Sequence, residues 1–132
     1  MKSVEEWGFR GLKLYPPCCY SPSDKALFPY YEVCKAHGLP VLVHIGPTSS
    51  TLSFEHSHPM GIDAAALNFP EVNFILGHAG VTYHQEAAMQ AQFRPNIFLD
   101  MSGFQSELGK GDLDGIIRLN LQKGLSKKLL FG

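Results

Sequence analysis

Among the 132 residues no apolar run approaches the ~18 that a membrane span needs, and no cationic-apolar leader pattern opens the chain. Charge of one sign is also missing. The formal net charge is −1 and the lysines are scattered, which leaves no electrostatic footprint for nucleic acid or an anionic bilayer. Cysteine is scarce: Cys18, Cys19 and Cys34 form an odd set with two adjacent, which is no disulfide framework and points to a reducing cytoplasm. The glycines are not arranged for a dinucleotide, because Gly77-His78-Ala79-Gly80 lacks the G-x-G-x-x-G spacing. No G-x-S-x-G elbow presents a nucleophilic serine. What remains is an ordinary globular composition, 45% hydrophobic and 17% charged, enough for one core and too short for two.

The chain is organised around Leu39-Pro40-Val41-Leu42-Val43-His44-Ile45-Gly46, an apolar run that ends in histidine and glycine. A run apolar at successive positions reads as a strand buried on both sides, as in a parallel sheet covered by helices. The pattern returns at Val72-Asn73-Phe74-Ile75-Leu76-Gly77-His78-Ala79-Gly80. A first strand is expected within Trp7–Tyr15, with Gly11, Lys13 and Tyr15 on one face and Leu12 and Leu14 on the other, stopped by Pro16-Pro17. Two more strands are expected at Ile97–Met101 and Lys127–Phe131.

Helices are expected between them. One carries Leu27, Tyr30, Tyr31 and Cys34 at helical spacing and closes at Gly38. The others span about Pro59–Asn68, Tyr83–Phe93 and Leu113–Gln122, the last preceded by a Gly-rich loop. Strand starts recur every roughly 25–32 residues, the repeat of βα units. The order is therefore β-α-β-α-β-α-β-α-β: an α/β chain of about five parallel strands alternating with four helices. Right-handed crossovers follow. Either an open doubly wound sheet or part of a (β/α)8 barrel fits this order.

In barrels of this kind, functional side chains sit at the C-terminal ends of strands. His44, His78 and Lys13 occupy such ends. Neutral imidazole is the commonest metal ligand, and two on neighbouring strand ends can converge on one ion or on an ion and its water. A hydrogen-bonded strand-end role is the alternative for either histidine alone. The more conspicuous His56-Ser57-His58-Pro59 falls in a Ser/Thr-rich loop and reads as helix-entry punctuation, and His37 and His84 read as surface residues. Lys13 either brings a desolvated amine to the mouth or pairs with a carboxylate such as Asp100. Arg10 and Arg94 are the candidate clamps for a substrate carboxylate.

Five segments, Gly8–Tyr15, Leu39–Gly46, Phe69–Gly80, Asn96–Gly103 and Lys128–Gly132, together resemble the amidohydrolase-related family of metal-dependent (β/α)8 enzymes, which includes aminocarboxymuconate-semialdehyde decarboxylase. The resemblance implies that residues 1–132 form a single domain fragment, a partial (β/α)8 TIM barrel covering the fourth to eighth strands. It implies that His44 is the fifth-strand metal ligand and that His78 is the catalytic sixth-strand histidine, which polarises substrate or handles a proton. Lys13 falls where binuclear members carry a carboxylated lysine, and with Asp100 it is a candidate for a supporting role around the metal. The implied cofactor is a divalent metal, most often zinc.

The implied reaction is hydrolysis of a small, carboxylated substrate by metal-activated water. Non-oxidative decarboxylation within the same family is the alternative, and a non-catalytic α/β binding module is the alternative outside it. The family's first-strand ligand pair and the aspartate after the eighth-strand Phe-Gly have no counterpart here, and 132 residues is about half of the roughly 250 of a full barrel. The chain alone is therefore expected to be inactive, to bind zinc weakly and to self-associate through its open edges. Leu42, Phe74 and Leu76 are expected on the inner face. Neither nucleic acid nor membrane is an expected partner.

Overall fold

The computed structural model describes residues 2–78, 82–103 and 113–132. Five strands, β1 (Leu12–Leu14), β2 (Val41–His44), β3 (Phe74–Gly77), β4 (Ile97–Asp100) and β5 (Leu129–Leu130), lie side by side in chain order, each parallel to the next. Among the described residues the strands alternate with helices α1 (Lys2–Glu5), α2 (Phe28–His37), α3 (Asp63–Asn68), α4 (His84–Phe93) and α5 (Leu113–Gln122) and with three short 3-10 turns. A doubly wound sheet reverses its strand order at a switch point; this one never does, so it is a stretch of barrel wall. β1 and β5 do not pair with each other, and the wall is a partial barrel.

Strand register explains which residues hold the wall. Leu14, Val43, Leu76 and Leu99 form one row and Leu12, Val41, Phe74 and Ile97 another, and all but Leu12 are buried in the main core. Between them runs the row Lys13, Leu42, Ile75 and Phe98, which points to the opposite, concave face. Leu42, Ile75 and Phe98 are only partly covered and Lys13 is exposed. The apolar β2 run is thus buried on one side and half-open on the other, which corrects the expectation of burial on both. Phe74 and Leu76, expected on the inner face with Leu42, belong to the helix-packed layer; Ile75 and Phe98 stand inside instead.

Aromatic edges and two polar ties lock the helices to this layer. Tyr31 of α2 meets Phe69 and Phe74 edge-on, each at a centroid distance of 5.3 Å. Its buried hydroxyl donates to the Pro22 carbonyl. Asn96, buried just before β4, donates from Nδ2 to the carbonyls of Ala66, Phe69 and Val72, each at 3.0 Å. One side chain so satisfies the C-terminal end of α3 and the entry to β3. Lys128 Nζ does the same for α4, donating to the Ala91 and Arg94 carbonyls at 2.7 and 2.6 Å.

Boundaries differ from expectation where local punctuation intervenes. Only Leu12–Leu14 of the Trp7–Tyr15 segment pairs, starting where the Leu12 amide donates to the Pro40 carbonyl at 3.0 Å. α2 closes as expected at Gly38, whose φ of +61° places it in the left-handed region that favours glycine. The Pro59–Asn68 helix is divided into a 3-10 turn, Pro59–Ile62, and α3. α1 was not foreseen. The expected Gly-rich loop before α5, and Ala79 and Gly80 of the second histidine motif, lie outside the described residues.

Candidate functional site

The C-terminal edge of the sheet gathers the chemistry. His44 ends β2 and is buried. Its Nε2 lies 3.0 Å from the Pro47 carbonyl oxygen. A carbonyl only accepts, so in the neutral ring Nε2 carries the hydrogen and Nδ1 keeps the lone pair. Burial pushes the His44 pKa below the ordinary histidine value; the positive charges of His78 and Lys13 add to this and the Pro47 hydrogen bond opposes it.

His78 follows directly on β3 with φ +56°, a left-handed conformation uncommon for a residue with a side chain. This turn sets its ring beside His44, with centroids 5.1 Å apart and planes at 69°. Gly77 stands across from His44 in the register, and a Cβ there would come within 3.2 Å of the Val43 carbonyl oxygen. Tyr15 closes the other flank: its ring lies 4.5 Å from that of His44, and its hydroxyl is 2.7 Å from Thr48 Oγ1.

A second group leans on His78. Its Nδ1 is 3.0 Å from the Ser102 carbonyl oxygen and 2.9 Å from Ser102 Oγ. Ser102 Oγ donates to Asp100 Oδ2, and the Ser102 amide donates to Asp100 Oδ1 at 3.1 Å. Asp100 ends β4, and Gly132 approaches so closely that a Cβ at 132 would lie 2.8 Å from Asp100 Oδ1. Partial burial pushes the Lys13 amine below its ordinary pKa, while the nearby Asp100 charge pulls it back up. Asp100 and Ser102 also line an open cavity of about 410 Å3 with Leu42, Ile75, Leu130 and Gly132.

The structure brings His44 and His78 together, with Asp100 behind His78 and Lys13 lower on the concave face. It does not bring the other histidines to them. His58 caps the Pro59–Ile62 turn by accepting the Met60 amide at 3.3 Å and packs on Tyr83 at 4.7 Å. His56 lies 3.9 Å from Glu55, and His37 is exposed. Arg94 is engaged by Asp63, with Nε and Nη2 donating at 2.8 and 3.0 Å, and so is no free carboxylate clamp. Sequence reasoning missed Ser102 and the packing of Tyr15; the readable signal for Ser102 was its place two residues after a strand-ending aspartate.

Among the described residues no three His, Cys, Asp or Glu side chains converge as a metal shell. His44 by itself fits one coordination position, being biased towards neutrality with a lone pair free. The described residues thus offer one candidate ligand and no complete metal shell.

The amidohydrolase family model matches residues 1–132. Protein fluG of Emericella nidulans is 27% identical over 92 residues, which are 70% of this chain and 11% of fluG. A Lactobacillus casei protein provisionally assigned as a metal-dependent hydrolase superposes with a TM-score of 0.75 at 16% identity, over 92% of this chain and 40% of its own. The 2,6-dihydroxybenzoate decarboxylase of Rhizobium superposes with a TM-score of 0.66 at 14% identity, over 99% of this chain and 53% of its own. The chain spans about half or less of the length of each of these proteins.

Proposed function

We propose that this chain, which belongs to the amidohydrolase family, supplies the fourth to eighth strands of a metal-dependent hydrolase barrel acting on a small, carboxylated substrate. The observation that carries the reading is the pair of imidazoles on neighbouring parallel strand ends, 5.1 Å apart at the sheet's C-terminal edge. In this reading His44 is a metal ligand, presenting Nδ1 while Pro47 holds its Nε2–H. His78 is the catalytic residue that takes and returns a proton, since its Nδ1 faces Ser102 and leaves Nε2 for the mouth. The divalent ion, zinc in this proposal, supplies Lewis acidity when bound.

Lys13 and Asp100 support the site from the concave wall, Lys13 through charge and Asp100 through its hydrogen bonds. Tyr15 packs over His44 and keeps water off that side of the ring. Self-association through the open wall and residence in the cytoplasm belong to the same proposal.

The test is made on the full-length gene product that carries this chain. His44→Ala is expected to lose metal and turnover together. His78→Asn is expected to keep metal and lose about 100-fold or more in kcat, the ordinary scale of acid–base catalysis. Metal content and turnover that survive both substitutions would sink the reading. Carbon dioxide released from a carboxylated aromatic, without hydrolysis of any amide or ester, would replace the hydrolase with a decarboxylase built on the same pair.

A further inference from the structure

We propose that Asp100 and Ser102 are positioning residues that fix the tautomer and direction of the His78 ring; the inference rests on the reading of His78 as the proton-handling group. The argument begins with which atoms can donate. The Asp100 carboxylate only accepts, and it takes both the Ser102 amide hydrogen, at 3.1 Å, and the Ser102 hydroxyl hydrogen. With its hydrogen committed to Asp100, Ser102 Oγ offers only lone pairs to His78 Nδ1, 2.9 Å away. The Ser102 carbonyl, 3.0 Å from the same nitrogen, can likewise only accept. Two acceptors converge on Nδ1, so Nδ1 carries the hydrogen and Nε2 carries the lone pair.

The chemistry needs this outcome. A neutral imidazole with its hydrogen on Nε2 would meet the substrate with a donor and could not take a proton there. The chain Asp100–Ser102–His78 excludes that tautomer and pins the ring between Ser102 and the edge of His44. It also offers the protonated ring a charge one hydroxyl away. Two strands hold the device, since Asp100 ends β4 and His78 follows β3 directly. The His78 ring reaches Ser102 from a left-handed turn. Asp100 is itself held at both oxygens by Ser102, through the backbone amide at Oδ1 and the hydroxyl at Oδ2.

The experiment reads the tautomer directly, on the whole 132-residue chain labelled with 15N histidine, by long-range nitrogen–proton correlation at a pH where the rings are neutral. His78 is assigned by its loss in His78→Asn. In the unsubstituted chain its Nδ1–H form is expected to dominate. In Asp100→Asn the amide can donate to Ser102 Oγ, freeing the hydroxyl to donate to His78. The Nδ1–H to Nε2–H ratio is then expected to fall about three- to tenfold, the net scale of one hydrogen bond. Ser102→Ala should lower it in the same direction, and Ser102→Thr, which keeps the hydroxyl, should restore it.

A merely structural strand-end turn would leave the ratio unmoved in all three. An unchanged ratio in Asp100→Asn and Ser102→Ala, or an Nε2–H ring in the unsubstituted chain, overturns the proposal. Should Asp100→Asn fail to fold, the Ser102 pair still decides it. The readout needs neither metal nor substrate. If His78→Asn spares turnover in the full-length product while the tautomer responds as expected, the functional reading falls and the positioning device stands.

Discussion

Tyr15 and His44 sit ring against ring, 4.5 Å between centroids and 40° between planes, although β1 and β2 are separated in sequence by a helix and two turns. The contact makes the His44 environment a property of two strands, and it is one reason why that imidazole is drier than a strand-end histidine left open to water.

Acid should therefore destabilise the chain through His44. Its folded pKa is below the ordinary value of 6.5, so between the folded and unfolded values the unfolded chain binds more protons. Stability then rises with pH across that window and is lost as pH falls through it. Urea unfolding at pH 7.5 and 5.5 is expected to show a larger loss for the unsubstituted chain than for His44→Gln. Equal losses would mean that His44 is not desolvated.

Asn96 tests the packing of the helices on the wall. Asn96→Ala removes the amide donor from the Ala66 and Val72 carbonyls, while the Phe69 carbonyl keeps the Val72 amide. The expected cost is about 2–3 kcal/mol, the scale of buried polar groups left without partners. It should appear as a lower urea midpoint at unchanged m. By contrast Arg94→Met, which breaks a partly exposed pair with Asp63, should lower the urea midpoint far less. A larger loss for Arg94→Met than for Asn96→Ala would reverse the ranking of these ties.

Zinc should bind the 132-residue chain weakly, because no three ligands converge among the described residues. Dialysis against a mild chelator is expected to leave well under one zinc per chain. Stoichiometric zinc after such dialysis, lost in His44→Ala, would show that further residues complete a shell around it.

The concave wall carries Leu42, Ile75 and Phe98 half-covered, flanked by two strands each paired, among the described residues, on one side only. Unprotected edges and apolar faces of this kind find partners. Sedimentation at micromolar concentration is expected to show dimers or larger species, and Ile75→Glu should shift them towards monomer. A sharp monomer before substitution would contradict this.

Much of this was legible in the residues. The strand-His-x-Gly repeats located β2 and β3, and their βα spacing foretold parallel neighbours, which is why the sequence alone pairs His44 with His78. The inner face was not legible. In Phe74-Ile75-Leu76 every residue is apolar, so composition cannot say which parity points inward; the register against Lys13 and Leu42 decides it. Strand ends were overestimated because pairing needs a partner of matching length, and β5 offers two residues. Ser102 went unread for a similar reason: its partner is 24 residues away and reaches it only through the turn at His78.

That turn has a consequence for how the site can change over generations. At φ +56° the residues that fit cheaply are glycine and the short or flat polar side chains, asparagine, aspartate and histidine, while branched apolar residues are strained. The substitutions open to position 78 are therefore mostly ones that bring another hydrogen-bonding group to the mouth. A drift to valine or isoleucine, harmless at many surface turns, would have to pass through a weakened backbone. The rung can exchange one polar chemistry for another far more easily than it can fall silent.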